Sequence, residues 1–159
     1  MFSFKSTLRQ TLDDTSGVAA VEAAILAPFL GVLGLGVMDC SFMLLQNHKM
    51  EQALVAAANY MSLSIDPRQV EDTAKRIAVS GTTDPLAKPL IKNWSPDDIK
   101  IEYRLVPNTS GQYRGGKHIR VVNITTTHPY QGFGILKAVT RNNVVLNAQY
   151  QQRMTSTAL

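Results

Sequence analysis

The chain has 159 residues, with 16 Lys and Arg against 12 Asp and Glu and a formal net charge of +4. That length holds one ordinary domain, and the single cysteine, Cys40, excludes a disulfide framework and a multi-cysteine zinc site. The charge is uneven. From Asp66 onward there are 13 Lys and Arg against 7 Asp and Glu, a net +6, which suits solubility or an anionic partner.

The first sixteen residues, MFSFKSTLRQTLDDTS, carry Lys5 and Arg9 against Asp13 and Asp14. They lack the basic-then-apolar layout of a simple secretory signal. Val18 to Met38 then contains one charge, Glu22, and Ala23 to Met38 contains none. At about 1.5 Å per helical residue this run covers roughly the 30 Å of a bilayer core. The expectation is a membrane-spanning helix over 18–40, with 1–17 as a cytoplasmic leader open to cleavage. Lys5 and Arg9 precede the span and only Lys49 follows closely, which orients the N-terminus to the cytoplasm.

Within the span, Glu22 is costly and calls for a partner or an interfacial position. Cutting after Gly17 would make Val18 a new N-terminus with Glu22 four residues on, one helical turn away. A neighbouring subunit's Glu22 could then neutralise the new amine. Ala20, Ala24, Ala27 and Gly31 share one helix face and permit close packing of a second helix. Pro28 removes one intrahelical hydrogen bond and is a kink candidate. Asp39 closes the apolar run and is read as the membrane boundary.

Residues 41–65 keep helical spacing with polar positions on one side, so one helix of about 65 Å is expected from Val18 to Met61. Asp66-Pro67 reads as the start of a second helix that Gly81 ends. TTDPLAKPLIKNWSPDD is a proline-rich loop in which Trp94 plugs the edge of the core. Three strands follow: Ile99 to Val106, with Ile99, Ile101, Tyr103 and Leu105 facing inward; Ile119 to Thr127; and Asn143 to Met154. PNTSGQYRGGKH makes the first two a hairpin, and PYQGFGILKAV suggests a short helix covering the sheet. Residues 66–159 are thus a small α+β domain, expected to lie outside the cytoplasm.

No catalytic, cofactor-binding or metal constellation is visible. His48, His118 and His128 are dispersed, and RGGK at 114–117 lacks the context of a phosphate loop. Arg114, Lys117, His118 and Arg120 around Tyr113 form either a solvated hairpin tip or a phosphate contact.

The segment SGVAAVEAAILAPFL, with Gly17 and Glu22, resembles the prepilin-peptidase site of type IV and tight-adherence (Tad) pilins. GVAAVEAAILAPFLGVLGLGVMD is similar to the N-terminal segment of the TadE/TadG-like minor pilins, through Gly17, Val21-Glu22, Pro28 and Asp39. Ala23 departs from the aromatic that follows the acid in the major pilins of such systems, which argues for a minor component. The resemblance implies a pilin-like α+β fold and a structural, non-enzymatic role in a Tad (Flp, type IVb) pilus. It further implies a bacterial inner-membrane location and no cofactor. The partners it implies are other pilin subunits, the inner-membrane pilus platform, the lipid bilayer, and a prepilin peptidase for which this chain is substrate; nucleic acid is not expected. A second reading is a single-pass anchored module whose basic domain binds DNA or an envelope component.

Overall fold

A computed structural model describes residues 16–111 and 117–154. The leader residues 1–15 and the hairpin-tip residues Tyr113 and Arg114 lie outside the described residues. Helix α1 runs Ser16–Leu63, followed by α2 Glu71–Ser80 and a 3-10 turn Pro96–Asp98. Strands β1 Ile99–Pro107 and β2 His118–Pro129, helix α3 Ile135–Thr140 and strand β3 Val145–Arg153 complete the chain. The sheet order is β1-β2-β3, antiparallel throughout, with Ile101 opposite Ile124 and Ile124 opposite Tyr150. This is the expected build: a long apolar N-terminal helix, then a small three-stranded sheet with short helices.

The second half of α1 packs on the sheet and on α2. Met50, Ala53, Leu54, Ala57, Ala58 and Met61 recur at three- and four-residue intervals and are buried, as an amphipathic helix requires. Ala74 and Ala78 of α2 enter the same cluster, and these small side chains let helix axes approach closely. Val122, Ile124, Thr126 and His128 bring alternate positions of β2 into the interior, with Leu146 and Ala148 from β3. Trp94 plugs the edge as expected: it is buried, and its indole N–H donates to Thr126 Oγ1 at 3.0 Å. Tyr103 donates its hydroxyl to Glu71 Oε1 at 2.7 Å and tethers β1 to the first turn of α2. Burial, then that hydrogen bond, pushes the Tyr103 phenol well above its ordinary 10.0.

Three local expectations are corrected. Helix α2 begins at Glu71 rather than at Asp66-Pro67. Asp66 Oδ1 accepts the Arg68 N–H at 3.1 Å and closes a local turn instead of capping a helix. The helix end is as read, with Gly81 at φ 76° donating its N–H to the Ile77 carbonyl. Leu105 continues the alternation of β1 but is 59 % exposed, because the helical layer no longer covers the strand there. Helix α3 does not cover the sheet: it lies against α1 beside Gly36 and Asp39.

Candidate functional site

Two features of α1 stand apart from the packing of an ordinary domain. The first is its N-terminal half. Every residue from Gly17 to Leu35 is exposed, although nearly all are apolar. Leu33, for example, is 67 % exposed. Each large apolar side chain left in water forgoes about 1.5–3 kcal/mol of burial, so the nine on this stretch, Val18, Val21, Ile25, Leu26, Phe29, Leu30, Val32, Leu33 and Leu35, make it a poor water-facing surface. This is one helix long and apolar enough to cross a membrane. Pro28 lies inside it.

Glu22 is exposed within this stretch and, among the described residues, its carboxylate has no hydrogen bond or ion pair. Gly17 and Val18 open the helix and are exposed. Ala20, Ala24, Ala27 and Gly31 are all uncovered, and a Cβ at Gly31 would meet nothing within 4 Å. The fold therefore brings the sequence-derived positions together along a bare helix and adds no side chain from the rest of the chain to them.

The second feature is Asp39, expected as a boundary marker and found fully buried. Its Oδ1 accepts the Tyr130 hydroxyl and the Phe133 N–H (3.0 Å), and its Oδ2 accepts the Leu136 N–H at 2.9 Å. The Tyr130 hydroxyl also donates to the Asp39 carbonyl at 2.7 Å. Helix α3 starts from Gly134, at φ 91°, which has no side chain to satisfy the open N–H groups of the first turn. Asp39 supplies that acceptor from across the fold, where a local Ser or Asp would normally serve. Gly132 lies so close that a Cβ there would overlap both Asp39 Oδ1 and the Tyr130 ring and hydroxyl. Burial, and then the bond to Asp39, raises the Tyr130 phenol above its ordinary 10.0 and keeps it a donor.

Around this clasp the ring of Phe133 meets Phe42 edge-on, with centroids 5.2 Å apart, and the Gln46 amide donates to the Gln131 carbonyl at 3.3 Å. Gly36, Asp39, Met43, Gln46, Met50, Leu54, Ala57 and Met61 thus form one stripe at helical spacing. The head covers α1 along this stripe from Met61 down to Gly36 and stops there. The uncovered remainder, Gly17 to Leu35, is about 28 Å long at 1.5 Å per residue, close to the hydrocarbon thickness of a bilayer.

A bare apolar helix that continues into a small α+β head defines a pilin-like build. Residues 17–59 match the model of a family described as TadE-like protein. The chain carries a TadE-like segment, which covers most of α1 and ends before α2 and the sheet. Searches of curated proteins and of solved structures found no match. The TadE-like family is structural rather than catalytic, and such a segment on an apolar N-terminal helix fits a component of a Tad pilus system. Among the described residues no group of three or more His, Cys, Asp or Glu could hold a metal ion.

Tyr130, Gly132 and the amides of Phe133 and Leu136 escaped sequence reasoning. The signal was an acid that directly follows a charge-free run, and a Gly-rich turn with no local cap. Neither half says where the other lies when the two are 91 residues or more apart.

Proposed function

We propose that the protein is a minor pilin or membrane-held assembly subunit of a Tad-type pilus. It inserts through α1 with its N-terminus in the cytoplasm and its head on the far side of the inner membrane. The observation that carries this reading is the coincidence of the TadE-like match with a helix whose apolar surface is bare over a bilayer's thickness. In this reading a prepilin peptidase cuts after Gly17 and exposes the Val18 amine. Glu22, which has no partner within the described chain, neutralises the Val18 amine of an adjacent subunit and so sets the axial register between helices. The stripe Ala20, Ala24, Ala27 and Gly31 lets the neighbouring helix approach closely. The peptidase performs the chemistry; this chain contributes shape, register and anchoring.

Processing is tested by intact-mass and N-terminal sequencing of protein extracted from membranes of cells that also carry the peptidase. A chain that begins at Val18 is expected; one that retains its N-terminal segment retires the cleavage step while leaving the anchor in place.

A further inference from the structure

The turn and helix after β2 hold a surface that the anchor alone does not explain. Ile135 lies against α1 beside Gly36: a Cβ on that glycine would be 3.9 Å from Ile135 Cγ2. Gly36 sits directly above the bare stretch, where the hydrocarbon edge falls if Gly17 to Leu35 spans the bilayer. Segment 130–141 is therefore carried down the outside of the helix to that edge, and the Asp39 hydrogen bonds hold it there. The segment exposes apolar side chains: Val139 is 75 % exposed, and Phe133, whose ring meets Phe42, is 60 % exposed. At 100° per residue Ile135 and Val139 fall on one face of α3, and Lys137 on the opposite one. Lys137 and Arg141 are exposed and make no hydrogen bond or ion pair among the described residues.

An apolar face with free cations on the opposite face and just beyond its end, at the depth of the headgroups, is the pattern of an interfacial amphipathic segment. Resting on the anchor reading above, we infer that residues 130–141 are a foot that lies in the outer interface of the bilayer. Val139 reaches the acyl boundary, Phe133, held against Phe42, lies among the headgroups above it, and Lys137 and Arg141 meet the phosphates of anionic lipids. The foot fixes how far the helix sinks and shields the Asp39 carboxylate from lipid. Two cations near an anionic surface bias the head's posture without anchoring it alone.

The test uses the full chain with Cys40→Ser, reconstituted in phosphatidylcholine vesicles with and without phosphatidylglycerol. A nitroxide is attached in turn through Val139→Cys, Leu33→Cys in the span and Leu86→Cys, a head position that is 90 % exposed. Its collisions with oxygen and with a water-soluble nickel chelate give depth. Expected are a deep Leu33 position, an aqueous Leu86 position and a Val139 position at the interface. An aqueous Val139 position beside a deep Leu33 position overturns the foot and spares the anchor; an aqueous Leu33 position removes the anchor reading itself. Lys137→Glu with Arg141→Glu is expected to move the Val139 probe toward water only in vesicles with phosphatidylglycerol. No movement there would overturn the assignment of the two cations to lipid phosphates.

Discussion

In Asp39→Ala the amides of Phe133 and Leu136 are expected to exchange with solvent at least about tenfold faster than in the parent chain, while those of β2 are little changed. Both amides donate to the lost carboxylate, so they report directly on the clasp. The Tyr130 hydroxyl keeps only the backbone carbonyl of residue 39 as acceptor. The methyl group offers nothing in return, and the two amide donors of Phe133 and Leu136 are left to find water. The cheapest way to find it is for residues 130–136 to lift off α1, which also separates Phe133 from Phe42. Hydrogen exchange with mass-spectrometric readout resolves this, because the core built on Met50, Leu54 and Met61 remains intact. Unchanged protection at Phe133 and Leu136 would mean that the carboxylate does not hold the segment.

The second large effect is expected at the other end of the helix. Glu22→Ala should enter the membrane at least as well as the parent, because a carboxylate at the centre of a span costs about 3 kcal/mol and less toward its edge. Its recovery in sheared pilus or assembly fractions should nevertheless fall by roughly 30-fold or more. That figure follows from the 2–5 kcal/mol lost when one member of a buried charge pair is removed. The separation of the two outcomes is what matters: a residue needed only for insertion would change both together. Normal incorporation of Glu22→Ala would remove the assembly role given to this residue.

How much of this was legible in the sequence follows from the range of the forces involved. The limits of α1, the end of α2 at Gly81 and the alternation of β1 as far as Tyr103 come from periodicity and local turn chemistry, which act over a few residues. The plug at Trp94 was legible too, since a lone indole beside three prolines has few other places to go. The early start assigned to α2 failed because Asp66 has two local options, a helix cap or a closed turn, and the chain took the second. Leu105 failed because alternation reports which way a side chain points and not whether anything covers it. Asp39 shows the sharpest limit. Its position at the end of a charge-free run drew the reading of a membrane boundary, whereas the structure buries it against residues 130–136. Its acceptors' partners, however, depend on where β2 delivers residues 130–136 relative to the long helix, a tertiary relation with no local pattern.

For the bare helix, Glu22 and the small-residue stripe, the fold adds one piece of information that the sequence lacked: how far down α1 the head reaches. Coverage ends at Gly36, and the length left uncovered is about that of a hydrocarbon core. Whether those nineteen residues lie in lipid is settled most directly by fractionating cells that make the full chain and washing their membranes with alkaline carbonate. The chain should stay in the membrane pellet and come out only with detergent. Recovery in the carbonate supernatant as a monodisperse monomer would mean that the helix finds its cover elsewhere, and would contradict the account.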